Sequence, residues 1–324
     1  MGEFDLIARY FTRPARKAVL GVGDDCALLQ PAPGMQLAIS SDMLVEGRHF
    51  FSDVDPAALG HKALAVNLSD LAACGAHPIA FTLALALPRA DETWLQGFSN
   101  GLWALADRHG CELVGGDTTR GPLNICITVF GEVPRGQALL RSGARVGDDI
   151  YVSGTLGDAR LALEALQSRL AVPAEVLKQA RIRLELPTPR VALGQALQGI
   201  ATAAIDISDG LAGDLTHILE ASATGAAIDT AVAMTLIASC RHDAGAGAWL
   251  SSDKQLDCVL AGGDDYELAF TAPPTQRQAV EQAAARSQTP VTRIGQIQAE
   301  SGLRLLNASG ASVTRPFSSF DHFA

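Results

Sequence analysis

Six short clusters that set Asp beside Gly or Ser interrupt this chain, and they constrain its fold and its chemistry together. They are Gly23-Asp24-Asp25, Ser40-Ser41-Asp42, Asn67-Leu68-Ser69-Asp70, Gly115-Gly116-Asp117, Asp206-Ile207-Ser208-Asp209-Gly210 and Gly262-Gly263-Asp264-Asp265. Each puts a carboxylate among residues small enough for the backbone to approach a ligand closely. Carboxylate, hydroxyl and carbonyl oxygens are the donors that hard cations such as Mg²⁺ prefer. One cluster means little. Six point to a site for several Mg²⁺ ions, whose usual substrate is a nucleotide polyphosphate.

The 324 residues suffice for two domains. With 48% hydrophobic and 19% charged residues, a large core is expected and disorder is not. A net charge of −10 argues against nucleic-acid or anionic-membrane binding, which needs a basic footprint. An acidic chain that binds phosphates needs cations in between. The six cysteines are scattered, with no Cys-x-x-Cys pair, and read as reduced and buried. The start, Met-Gly-Glu-Phe-Asp-Leu, lacks the basic and apolar regions of a signal peptide. The best apolar run, 78–88, is too short to span a bilayer. A cytoplasmic location is the expectation.

Periodicity predicts a short helix over 5–11 and strands at 19–22 and 37–41, the latter with Asp42 at its C-terminal end. A helix follows at 56–74, where Leu64, Leu68 and Leu71 share a face. Residues 79–87 alternate as a strand, and 91–108 form a helix that Gly110 suits as C-cap. Strands follow at 111–114 and 124–133. Composition changes near Arg141–Asp149, giving expected domains of 1–142 and 143–324. The second contains strands at 150–153, 226–229, 266–271, 291–297 and 302–307. Its helices fall at 158–169, 174–184, 190–199, 211–222 and 275–286. Several strands look half-exposed, which favours an α+β class of α/β sandwich domains over a doubly wound parallel sheet.

P-loop, dinucleotide-binding, zinc-protease and protein-kinase signatures are all missing from the sequence. An ATP-binding role therefore has to work through Mg²⁺ and Asp rather than a lysine cradle. Alternation along the strand turns Ser40 and Asp42 the same way and leaves the Ser41 hydroxyl and carbonyl available; a strand-to-turn cap is the plainer reading. Asp70 in mid-helix, one turn after Asn67, needs a compensating cation or an ion-pair partner such as Lys62. Asp117 fits either a phosphate-binding loop or an ordinary turn. Asp206 and Asp209 flank Ser208 where a strand runs into a helix, presenting oxygens and a helix N-terminus together. Helix capping by Ser208 or Asp209 explains one of these residues, not all three. His49 suits a structural or a substrate role, and Arg141 a phosphate contact or a solvated surface.

In order along the chain, Gly2–Ile7, Gly21–Ala27, Ser41–Phe50, Lys62–Ala73, Gly115–Pro122, Ile205–Leu211, Gly262–Leu268 and Phe320–Phe323 resemble the thiamine-monophosphate kinase family. That family sits in the superfamily that also holds aminoimidazole ribonucleotide synthetase and selenophosphate synthetase. The resemblance runs nearly end to end. It implies phosphoryl transfer from ATP to thiamine monophosphate, giving thiamine diphosphate with the help of several Mg²⁺ ions. Position by position, Asp25, Ser40, Ser41, Asp42, Asp70, Asp117, Asp206 and Asp209 match the family's metal ligands. Asp42, Asp70 and Asp209 carry the catalytic role among them. Gly116, Asp117, Arg141 and Ser208 match its ATP contacts, and His49, Asp264 and Phe320 its thiamine-phosphate contacts; an aromatic wall suits a thiazolium cation. The family also implies an N-terminal mixed-sheet domain that forms a barrel across a homodimer, and a C-terminal α/β domain that completes the substrate site. Three positions depart from the pattern: Asp264 replaces a Glu, Ser41-Asp42-Met43 replaces Thr-Asp-Thr, and Arg315-Pro-Phe317 stands where a Trp is common. These touch the substrate pocket more than the metal site. The competing readings are another ATP-using member of the superfamily and a non-enzymatic divalent-cation-binding protein.

Overall fold

The computed structural model describes residues 2–239, 249–315 and 317. The chain divides into two compact units, Met1–Leu71 with Ala76–Ala138, and Ala72–Gly75 with Leu139–Ala324.

The first unit opens with α1 (Glu3–Leu6), which continues as a π-turn over Ile7–Phe11. Then come β1 (Met35–Val45), α2 (Pro56–Ala73), β2 (His77–Leu87), α3 (Glu92–His109), β3 (Glu112–Arg120) and β4 (Asn124–Pro134). The strands form one mixed sheet in the order β1-β4-β2-β3, parallel only between β2 and β3. The sheet is open, with β1 and β3 as its edges, so no barrel closes within it. The strand expected at 19–22 is reduced to two isolated bridges, Leu20 with Leu28 and Val22 with Asp24. Asp42 lies inside β1 rather than at its end, because pairing with β4 continues to Val45. β3 runs on to Arg120, so Gly115-Gly116-Asp117 is strand and not the expected loop.

Alternation along β4 buries Ile125, Ile127 and Val129, and the core adds Phe81 of β2, Leu64 and Leu68 of α2, and Phe98 and Leu102 of α3. The two long helices cross closely through glycines. A Cβ on Gly60 would lie 2.0 Å from the Phe98 carbonyl oxygen, and one on Gly101 1.8 Å from that of Ala57. Asp91 caps α3 by accepting the Thr93 and Trp94 amides, and Gly110 ends it in the left-handed conformation, as its sequence predicts.

The second unit comprises β5 (Asp149–Ser153), α4 (Asp158–Leu166), α5 (Ala174–Glu185), α6 (Val191–Ala196), β6 (Ala203–Ile207), α7 (Leu211–Ser222), β7 (Gly225–Asp229) and α8 (Thr230–Met234). After them come α9 (Ser252–Ala261), β8 (Glu267–Ala272), α10 (Arg277–Arg286), β9 (Val291–Gln298) and β10 (Gly302–Leu306). The six strands order as β10-β7-β9-β5-β8-β6, antiparallel except for β10 with β7. β5, β6 and β8 are buried throughout, while β9 and β10 are half-exposed. The chain thus has two α+β units, each on a mixed sheet.

Candidate active site

In the first unit, β1 and α2 bring two of the Asp clusters together. Ser40 and Asp42 share a face of β1, as alternation requires. Ser40 Oγ donates to Asp70 Oδ2 at 2.5 Å, and the Asp42 amide donates to Asn67 Oδ1 at 3.0 Å. Asn67 is buried and turns its amide nitrogen to the Ala63 carbonyl. The mid-helix Asp70 therefore has a hydroxyl partner on the neighbouring strand. Lys62, also buried, donates to the His49 carbonyl. Ser41 points to the other face, where its hydroxyl stands 2.9 Å from Thr128 Oγ1 and donates to the Ile127 carbonyl. The hydroxyl expected to be available is thus engaged across the strand pair. His49 lies in the turn after β1 and accepts the Val45 amide at Nδ1, which places the ring proton of the neutral form on Nε2.

A second group gathers around a cavity of about 700 Å³ lined by apolar Phe4, Ile7 and Val22 and by Asp25, Gly116 and Asp117. Asp25 is exposed, and its amide is held by Asp24 Oδ1. Gly116 has φ +142°, and a Cβ there would stand 1.9 Å from the Leu83 carbonyl oxygen. Close approach of β2 alone thus requires this glycine. Asp117 is exposed on β3.

In the second unit, Asp206 is buried near the end of β6, and Ser208 and Asp209 form the turn into α7. The turn that leads into α7 is tied down by the helix's own first turn, while Gly210 caps the helix without a side-chain hydrogen bond. Asp214 Oδ2 accepts the amides of Ser208, Asp209 and Gly210, each at 3.1 Å. Burial pushes the Asp214 carboxyl up to about 6, against the pull of those amides. The Gly262–Tyr266 loop lies against this turn: Asp264 N–H donates to the Ser208 carbonyl and Tyr266 N–H to that of Ile207. Asp264 and Tyr266 both hold positive φ, +68° and +50°, a conformation that costs a non-glycine residue roughly 1–2 kcal/mol. Asp265, between them, is fully buried and accepts the Gly157 amide with both oxygens. Glu267, just past Tyr266, is also fully buried, and takes hydrogen bonds from Arg183, Arg190 and Ser153. Arg141 is exposed. Phe320 lies outside the described residues.

Asp214, Glu267, Arg183 and Arg190 were not singled out in the sequence, and Asp265 was named only as the end of its cluster. Glu267 is an acid directly before the apolar run Leu268–Phe270, and Asp214 stands in the first turn after Gly210. Among the described residues, no three His, Cys, Asp or Glu side chains stand close enough to enclose an ion. The oxygens present still suit Mg²⁺: Ser40 meets Asp70, and Asp25 and Asp117 line one cavity. Open pairs fit an ion that keeps several waters and shares its shell with phosphates.

The chain matches the models for the AIR synthase related protein N-terminal domain over residues 23–133 and the AIR synthase related protein C-terminal domain over 145–306. It is 48% identical to the thiamine-monophosphate kinase of Salmonella typhimurium, over 100% of this chain and 98% of that one. The chain belongs to the thiamine-monophosphate kinase family. Among solved members of that family, the enzyme of Stenotrophomonas maltophilia K279a superposes with a TM-score of 0.83 at 45% identity, covering 96% of each chain. The structure of AaThiL complexed with AMPPCP and TMP gives a TM-score of 0.75 at 29% identity, covering 91% of this chain and 89% of that one. Membership of the thiamine-monophosphate kinases thus extends over both units.

Proposed function

We propose that this kinase transfers the γ-phosphoryl group of ATP directly to the phosphate of thiamine monophosphate, releasing ADP and thiamine diphosphate. The observation that carries this is full-length identity of 48% to a thiamine-monophosphate kinase. A relative's complex with AMPPCP and TMP supports the pair of substrates. The attacking oxygen belongs to a phosphate already ionised at neutral pH, so no side chain has to remove a proton. The protein's task is then alignment and charge neutralisation.

Mg²⁺, when bound, would supply positive charge to neutralise the crowded phosphates. Asp25, Ser40, Ser41, Asp42, Asp70 and Asp117 of the first unit and Asp206 and Asp209 of the second are the residues that would hold the ions, Ser41 through its carbonyl. Asp42, Asp70 and Asp209 carry the catalytic part of that role. Gly116, Asp117, Arg141 and Ser208 are assigned to ATP. His49, Asp264 and Phe320 are assigned to thiamine monophosphate. His49 offers Nε2–H as a donor, since Nδ1 already accepts the Val45 amide.

The active form is a homodimer paired through the first unit's sheet. Supporting this, β1 is an edge strand with Leu37, Ile39 and Met43 exposed at 42%, 60% and 53% on the face opposite Asp42. A cytoplasmic location goes with the use of ATP, and no helix among the described residues is long and apolar enough to cross a membrane.

Chromatography of thiamine diphosphate tests the reading, with purified protein, ATP, Mg²⁺ and either thiamine monophosphate or thiamine. Product from the monophosphate alone is expected. Absence of product with Mg²⁺-ATP binding intact would keep the superfamily and discard the substrate.

A further inference from the structure

The Gly262–Tyr266 loop is strained and yet held from two directions. Left-handed conformers at Asp264 and Tyr266 persist only where their surroundings over-determine them. On one side, the Asp264 and Tyr266 amides are tied to the carbonyls of Ser208 and Ile207. On the other, Asp265 turns inward to the Gly157 amide at 3.0 and 3.1 Å. Gly157 has φ +89° and opens α4, and a Cβ on it would meet Cys258 and Val259 at 3.0–3.2 Å. Arg183 closes the arrangement from α5. Its terminal nitrogen reaches the carbonyls of Asp265 and Thr155 at 3.5 and 3.4 Å and the Glu267 carboxylate at 2.8 Å. Glu267 is itself packed onto Gly154, where a Cβ would lie 2.1 Å from the carboxylate.

We infer that Asp265 is a positioning residue: anchored on Gly157, it fixes the loop so that Asp264 is presented to the thiamine-phosphate substrate. The inference rests on the proposed substrate role of Asp264. Asp265 is fully buried, with its carboxylate on the Gly157 amide. Burial pushes its carboxyl above the usual carboxylate range, against the pull of the Gly157 amide. An asparagine keeps one side-chain oxygen for the Gly157 amide. Arg183 supports the same loop through the carbonyl of Asp265.

Steady-state kinetics of Asp265→Ala, Asp265→Asn and Arg183→Lys in the full chain test this, with thermal melts alongside. Asp265→Ala is expected to raise KM for thiamine monophosphate about tenfold, with kcat within about threefold and KM for ATP within about twofold. Asp265→Asn should stay within about twofold of the wild type, because it keeps a carbonyl for the Gly157 amide. Arg183→Lys keeps the positive charge beside Glu267 but shortens the reach to the carbonyls, and is expected to show the same selective rise. If Asp265→Ala does not fold, the Asn and Lys variants decide. Equal rises in both KM values, a lower Tm with unchanged kinetic constants, or an Asn variant as impaired as the Ala variant would each overturn the inference. Wild-type protein that fails to phosphorylate thiamine monophosphate would instead sink the functional reading, and the role of Asp264 with it.

Discussion

Asp70, a proposed metal ligand, also has a place in the packing of its helix. It sits half-buried in the interior of α2, a poor place for Asp by propensity, and takes the Ser40 hydroxyl across to β1. Asn at this position still accepts that hydrogen bond but loses the charge. Asp70→Asn is therefore expected to keep its Tm within a few degrees while activity falls at least about 100-fold, the scale of losing one preorganised electrostatic contact. Parallel melting and turnover measurements check it. Substantial activity, or loss of activity only through unfolding, would return Asp70 to a purely structural role. That Asp70 needed a partner was legible, because an acid inside an apolar helix always does; that the partner is Ser40 depends on strand register, which no local pattern carries. What holds the Asp206–Gly210 turn was hidden for a related reason. Its residues look like a helix N-terminus open to a ligand, and only the helical geometry of the following turn brings the Asp214 carboxylate back onto those three amides.

At the scale of elements, long amphipathic helices and alternating strands were readable, and elements stabilised by distant pairing were not. β3 is the clearest case. Gly115-Gly116 signals a turn locally, but eight-residue parallel pairing with β2 carries the strand through to Arg120, and β2 comes so close that only glycine fits at 116. The residues at 19–22 fail in the opposite sense, since they have the composition of a strand but find only bridge partners. α3 offers a test of electrostatics at an element's end. A cation at its C-terminus would be favoured by the helix dipole, and Lys17 takes that role by donating to the Gly110 carbonyl at 2.8 Å. His109, the last residue, behaves otherwise: burial first, then the charges of Arg108 and His61, lower it to about 4. The unfolded chain, with an ordinary histidine, binds the proton more readily. Acidification from about 6.5 toward 4 therefore favours unfolding, and the stability held above that window is lost through it. His109→Gln removes the titration. Its Tm should fall less between pH 7 and pH 5 than that of the wild type, and an identical pH dependence in the two proteins would contradict the account.

At the scale of the whole molecule, the proposed metal ligands come from stretches far apart in sequence. Both sheets are mixed, and the acidic clusters sit on β1, α2 and β3 in the first unit and around β6 and the start of β8 in the second. The class of fold and the order of motifs were legible because each motif combines a carboxylate with a local glycine or hydroxyl. Which oxygens meet which depends on long-range pairing. The same pairing leaves one feature that the isolated chain does not explain. β1 is a long, 11-residue edge strand, and it carries an apolar stripe on its solvent face, through Leu37, Ile39 and Met43. Exposed apolar edge strands are aggregation liabilities that stable proteins cover. A second copy of the chain is the occupant that the proposed dimer supplies, and it would bury the stripe without touching the face that holds Ser40 and Asp42. Sedimentation of the purified protein should then report about twice the 33.8 kDa chain mass. Ile39→Glu places a charge at the most exposed point of the stripe, where two copies meet like charge against like charge. It should shift the protein to monomer while leaving the first unit's core, to which this exposed residue does not belong, folded by far-ultraviolet circular dichroism. A wild-type monomer at micromolar concentration, or an Ile39→Glu variant that remains dimeric, would show that another surface, or none, covers the edge.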